Sequence, residues 1–353
     1  MIVYYLYIIY TLIISLVSRI WKKANRKKTL TFLLWFGLFF IMALRGETVG
    51  NDIIRYLDHF ESSKWIDIFE TRKETGYMLF LNVLRFLGLG RRGYIVIVSF
   101  IISSSFAWFY YRYSRNITLS FLLHLTIGLF SFTMSGIRQS LAISFTLFAL
   151  HYALKRKLLL YLIFIFIAIN FHLSAIIFLP VYLLLKLNFK SYKPILISFL
   201  FLVVLILFNQ KVFSFATYFA PEKYIDFYLL SEDQTQLNIL PVIFMLMLPL
   251  SILFFWFWQK KSFHSITEEN LLFFKLSVFA AIFAVLALNV SALYRMSLYF
   301  TTYTVVLISN VLSDFSIKSN SDVFKVIVII ICIAYFIIST TGGIMKIDNY
   351  TFF

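Results

Sequence analysis

The sequence predicts an all-α, polytopic integral membrane protein, a single domain over residues 1–353 with about twelve crossings and interfacial or re-entrant helices beside them. Three observations predict it. Apolar side chains make up 61% of the 353 residues and charged ones only 14%, where a soluble domain carries about 25%. Apolar runs of roughly 17 to 25 residues, the length that crosses ~30 Å of hydrocarbon, recur along the whole chain. No Asp or Glu falls inside any of the expected helix cores, and no soluble domain is left once those cores are removed.

The first run, MIVYYLYIIYTLIISLVS, is expected to be a retained helix over 2–20. It lacks the basic start and small-residue cleavage site of a signal peptide, and its apolar stretch is too long for one. The connection RIWKKANRKK carries six Lys and Arg and no acid, which places it in the cytoplasm and the N-terminus outside. A second helix over 29–44 leads into a long outer loop, 45–92. Within that loop SKWIDIFETRKETGYMLF has the spacing of an amphipathic surface helix. The stretch GYMLFLNVLRFLGLG, 76–90, is apolar but short and is interrupted by Asn82 and Arg85. Reading it as interfacial or re-entrant keeps YRYSRN and LKRKL in the cytoplasm and gathers most Lys and Arg there. The net charge of +16 is therefore a topology signal, and no nucleic acid is needed to explain it.

Helices are expected next over 93–111, 117–134 and 138–154. The run from Leu158 to Leu187 is too long for one span, so two short helices, 158–170 and 173–186, are expected to meet near Asn170, Phe171 and His172. A helix over 194–209 precedes the second long outer loop, 210–237, where YFAPEKYIDFYLL fits a surface helix and a wetted loop equally well. Helices over 238–258, 270–289, 293–312 and 323–340 complete the bundle and leave the C-terminus outside. Loops longer than ~12 to 15 residues in a compact protein are usually functional or disordered, and these two hold too many aromatics for disorder. The outer face is thus expected to carry the chemistry.

Polar groups at the outer helix ends carry the site expectations. An ionisable group at membrane depth is costly, so it usually faces a protein cavity. Arg45, Arg138, His172 and Arg295 all fall near outer ends and are expected to converge on one pocket. Arg138, in SFTMSGIRQSLAISFTL, follows a Ser-Gly turn at a helix start, where free N–H groups and a planar guanidinium suit phosphate oxygens. A snorkelling interfacial Arg is the plainer alternative. Gln139 binds a sugar hydroxyl or caps the turn, and His172 is either a proton acceptor or a structural histidine. Arg295, in NVSALYRMSLYF, is a second anion ligand or the partner of an outer-loop acid.

The first outer loop contributes Glu47, Asp52, Arg55, Tyr56, Asp58, Glu74 and Tyr77, with Asp52 and Arg55 spaced to share a helix face. A solvated, internally satisfied loop is the alternative. Gly46 and Gly50 suggest a tight path before that helix, capped by Asn51 or Asp52. The spacing of His and Cys fits no zinc site, that of the carboxylates no known calcium loop, and the lone Cys332 excludes a disulfide framework. No cofactor and no metal are expected.

These same pieces carry a resemblance. RGETVGND, RYLDHF, ETGYMLF, GIRQSLA, INFHLSAI and YRMSLYF, in this order and over most of the chain, resemble the EpsG family of Wzy-type polysaccharide polymerases. The resemblance implies a glycosyltransferase of the bacterial cytoplasmic membrane, with a GT-C-like architecture as one possibility. Such an enzyme moves a growing glycan from undecaprenyl diphosphate to a new lipid-linked repeat unit on the extracytoplasmic face, making capsule, O-antigen or exopolysaccharide. It implies lipid-linked repeat units and membrane lipid as partners, with a flippase and a chain-length regulator of the same pathway as candidates. It marks Arg45, Asp52, Arg138, Gln139 and His172 as motif positions. On the chemistry, Arg45, Arg138 and Arg295 would hold the diphosphate, and His172 or Asp52 would orient or deprotonate the acceptor hydroxyl. Gln139, Arg55, Glu74 and Tyr77 join the arginines as substrate-binding candidates. An O-antigen ligase and a lipid-linked oligosaccharide flippase are the rival readings, and a membrane acyltransferase is a weaker third.

Overall fold

The computed structural model describes residues 1–64, 74–186, 239–258, 266–314, 321–341 and 347–352, with isolated positions between 200 and 211. The expected helix over 194–209 and the loop 210–237 lie almost entirely outside the described residues, as does the 65–73 half of the expected surface helix. In chain order the elements are α1 (Ile2–Val17), α2 (Lys23–Ala43), α3 (Ile53–Ser62), α4 (Thr75–Phe86), α5 (Arg91–Tyr113), α6 (Ile117–Thr126) and α7 (Leu129–Ser135). They continue with α8 (Ile137–Leu154), α9 (Leu158–Phe171), a 3-10 helix (Leu173–Phe178), α10 (Val181–Leu184), α11 (Ile239–Trp258), α12 (Glu268–Leu286), α13 (Ala292–Asp314) and α14 (Ser321–Thr341). No β-strand occurs among the described residues; one isolated bridge pairs Arg45 with Phe352.

The chain divides into two compact units, Met1–Tyr182 with Ser316–Phe353, and Leu183–Phe315. In the first, α2 packs on α5, α8 packs on α9 and on α5, and α14 returns against α6. Local signals start and stop these helices. The Asn116 side chain accepts from Leu119 N at 3.1 Å and so caps α6. Gly128, at φ +90, ends it, and α7 leaves at 59°. At Gly136, the second break, where α8 begins, a Cβ would stand 2.5 Å from the Phe132 ring, so glycine leaves room for that ring. In α3 the buried residues Ile53, Tyr56, Leu57 and Phe60 recur at the spacing of one helix face. The second unit holds α11, α12 and α13; Thr267 caps α12 by accepting from Asn270 N at 3.3 Å, and Asn310 donates to Asn270 at 3.0 Å inside it.

Five helices among the described residues, beginning at Ile2, Arg91, Ile239, Glu268 and Ala292, are long and apolar enough to cross a membrane, and the bent pair α6–α7 makes six if counted as one span. That is fewer than the expected dozen. Helices do occupy the other described positions, but several are short: α9 and the segment Leu173–Leu184 meet at a break, and α14 is apolar over Val326–Thr341. The break at 171–173 lies where the sequence placed it, with His172 extended between α9 and the 3-10 helix. Within 76–90, α4 has twelve residues, a rise of about 18 Å, too little for ~30 Å of hydrocarbon. On α1, Ile2, Leu6, Ile9, Ile13 and Leu16 form an exposed stripe, and on α14 Val323, Val326, Ile327, Ile330 and Ile331 form another. Contiguous apolar faces of this kind suit lipid, not water.

Candidate functional site

In the first unit the segment after α2 docks first on the α7–α8 joint and then on the end of α9, next to the break at His172. Gly50, at φ +116, lies against the first of them, where a Cβ would stand 2.4 Å from the Met134 carbonyl oxygen, and Asn51 N donates to Ser135 Oγ at 3.1 Å. The triplet Glu74-Thr75-Gly76 docks on the second. Thr75 Oγ1 donates to Asn170 Oδ1 at 2.8 Å, and a Cβ on Gly76 would meet Asn170 Cβ at 2.8 Å. Glu74, at the N-cap of α4, makes no side-chain capping bond to that helix; it stands in the left-handed region at φ 54, a conformation costly for a non-glycine residue.

Between the two docking points lies Arg138, one residue into α8. Its Nη1 donates to Glu74 Oε2 at 2.7 Å, and its guanidinium carbon lies 5.7 Å from both the Tyr56 and the Tyr77 ring centroids. Rings at that distance hold a cation through their negative faces. Arg138 Nε is buried without a hydrogen-bond partner. The other Glu74 oxygen accepts from Leu173 N at 3.3 Å, which ties the same carboxylate to the residue after His172. Tyr77 is fully buried and shares a 2.9 Å hydrogen bond with Tyr94. His172 Nδ1 lies 2.6 Å from Ser174 Oγ and accepts from Ser174 N at 3.3 Å, so one ring nitrogen caps the 3-10 helix.

The remaining expected residues separate by burial. Arg45 is 1% exposed; its Nη1 lies 2.7 Å from Met134 Sδ, and its Nε is buried without a hydrogen-bond partner. Burial pushes its guanidinium down to about 10, opposed by the nearby Tyr94, Tyr4 and Tyr350. The chain's tail covers it. Gly46 N donates to Thr351 O at 2.8 Å, and the Tyr350 hydroxyl donates to Ile41 O at 2.9 Å. Gln139 is buried at 3% exposure. Asp52, at the N-cap of α3, is 3.8 Å from Arg55, whose side chain is 86% exposed. Arg295 lies in the first turn of α13, on an exposed position in the second unit.

One residue the sequence reading passed over organises the loop. Arg91, at the start of α5, donates to both Glu61 oxygens at 2.6 and 2.7 Å, to Asp58 at 3.0 Å and to Glu47 at 3.1 Å. Its hydrogen bonds hold the Glu61 carboxyl below the usual carboxylate range. Next to it, Arg92 Nη1 donates to Arg45 O at 3.0 Å. The signal was present as three acids on one side of the loop and the Arg91-Arg92 pair on the other. Among the described residues no three of His, Cys, Asp and Glu group as metal ligands do.

Described residues that are all-helical, with lipid-suited faces and a guanidinium, carboxylate and aromatic cluster where the segment after α2 meets two helix joints, define a polytopic membrane protein with a polar docking region in its first unit. The family model of the EpsG family matches residues 28–352, nearly the whole chain, and the protein belongs to that family. Membership points to a polysaccharide-polymerase type of role. No curated protein and no solved structure matches the chain.

Proposed function

We propose that the protein is a Wzy-type polymerase: it transfers a growing glycan from its undecaprenyl diphosphate carrier to a new lipid-linked repeat unit. The reaction takes place on the extracytoplasmic face of the bacterial cytoplasmic membrane. The observation that carries this reading is the Arg138 cluster. A guanidinium set between two tyrosine rings, at a helix start and beside a carboxylate, offers both an anion clamp and a proton acceptor within one docking region. Transfer needs both. The acceptor hydroxyl attacks the anomeric carbon, the bond to the diphosphate oxygen breaks, and the electron pair leaves on the diphosphate. A positioned cation stabilises that developing charge. Direct displacement inverts the anomeric centre. The donor is already activated by its diphosphate, so the reading calls for neither nucleotide nor metal.

In this reading Arg138 binds the diphosphate, with Tyr56 and Tyr77 fixing its plane, while Asp52, Arg55, Gln139 and His172 contact glycan or acceptor. Arg45, buried beneath the tail, holds the loop in place. The test supplies purified protein with a defined undecaprenyl diphosphate repeat unit. A ladder of products is expected. A single transfer onto a different lipid identifies a ligase, and movement across a vesicle membrane without a new glycosidic bond identifies a flippase.

A further inference from the structure

We infer that Glu74 is the catalytic base, held quenched on Arg138 until the donor's diphosphate displaces it. The inference rests on the polymerase reading and adds an order of events to it. Arg138 carries an anion from its own chain at the place where a diphosphate is proposed to bind: Glu74 Oε2, 2.7 Å away. The hold is loose by comparison with the neighbouring pair. Arg91 grips both Glu61 oxygens, whereas Glu74 meets Arg138 through one guanidinium nitrogen and gives its second oxygen to Leu173 N at 3.3 Å. A diphosphate presents several oxygens to a planar fork and so makes more charge-assisted bonds than one carboxylate oxygen does. Arg138 Nε, buried without a partner, is a donor the present pair leaves unused.

Displacement has a chemical consequence for Glu74. While Oε2 accepts from Arg138 that oxygen is engaged; once released it is open to a hydroxyl proton, on a residue anchored by its own backbone. The anchoring comes from Thr75 on Asn170 and Gly76 packed on the same residue. The other two base candidates are committed elsewhere: Nδ1 of His172 serves as a helix cap, and Asp52 stands at the N-cap of α3, 3.8 Å from Arg55. The step balances. The acceptor oxygen bonds to the anomeric carbon, the carbon–oxygen bond to diphosphate breaks with its electron pair, and the hydroxyl proton passes to Glu74. Without a diphosphate on Arg138 the Glu74 oxygen stays engaged, so proton acceptance is tied to the presence of the donor.

The experiment measures inorganic pyrophosphate binding by calorimetry and ladder formation, both on the purified full chain. In Glu74→Gln the competing anion is gone, so pyrophosphate should bind about tenfold tighter, as expected when a binding-competent state rises from a minor fraction. Transfer should fall about 100-fold or more, the contribution of a general base. Glu61→Gln, which removes an equal charge from the Arg91 cluster, should change pyrophosphate binding little, and Thr75→Val should not imitate Glu74→Gln. Unchanged or weaker pyrophosphate binding in Glu74→Gln overturns the inference, as does an equal gain in Glu61→Gln or full transfer in Glu74→Gln. If Glu74→Gln does not fold, Glu74→Asp decides. Its shortened carboxylate should release Arg138, tighten pyrophosphate binding and keep partial transfer, and unchanged binding overturns the proposal. Wild-type protein that shows this binding pattern yet joins no repeat units overturns the polymerase reading and keeps the anion exchange.

Discussion

Arg138 and Arg45 look alike in the sequence, each an arginine at the outer end of an apolar run, and the structure gives them opposite surroundings. Arg138 keeps 35% of its side chain exposed and faces a carboxylate and two rings, whereas Arg45 is shut under the tail with a methionine sulfur as its close neighbour. Spacing on one helix cannot distinguish them, because what covers Arg45 comes from residues 350–352. Arg138→Lys should cut transfer by about 100-fold or more while leaving the folded protein intact, since an ammonium is a point charge where a fork is required. Ladder formation alongside size-exclusion of the purified variant checks both halves. Glu61 supplies a pH prediction. Its folded carboxyl is held below the unfolded value, so the stability it contributes is present above that unfolded value and is lost as pH falls through the lowered one. Protection factors of the α3 amides, with the intrinsic pH dependence of exchange removed, should therefore fall on acidification below about pH 4, and Arg91→Ala should abolish that fall.

At the scale of elements, the helices were legible and their joints partly so. The face of α3 could be read from its periodicity, and the division of the Leu158–Leu187 run could be read from its length, because both are local properties. The bend between α6 and α7 was not foreseen: Gly128 is one small residue in an apolar run, and hydropathy does not register a left-handed φ. The docking of Gly50 on Met134 O and of Gly76 on Asn170 was also invisible, since each is a contact across roughly 80 to 95 residues that only the fold creates. Gly50→Ala should destabilise the protein by about 1–3 kcal/mol, combining a strained φ with a carbonyl too close to the new methyl. The loss is read as a lowered melting temperature in detergent. Gly76→Ala should push Thr75 off Asn170, and a drop in transfer larger than the drop in melting temperature is the expected outcome.

For the whole molecule, class was legible from composition, and the number of crossings was not. Counting apolar runs treats each as one straight passage, but bent, broken and short helices answer to packing within the protein as much as to the thickness of hydrocarbon. The sidedness expected from the charge pattern is open to direct measurement. Cysteines introduced at the exposed positions Lys64 and Lys157, with the native Cys332 buried, should differ in labelling by an impermeant thiol reagent in intact cells. Position 64 should react and position 157 should not; a reactive 157 would mean that the stretch 76–90 crosses after all.

The clasp over Arg45 also has a temporal side. The Tyr350 hydroxyl reaches a carbonyl 309 residues earlier in the chain, so on a ribosome the outer loop is extruded long before the segment that seals it. Until that segment arrives, the Arg45 guanidinium has water for company and the loop is free to sample other paths. Final setting of the loop is thereby made a late event of biogenesis, and a chain halted before residue 347 would be inserted in the bilayer with its polar machinery still unassembled.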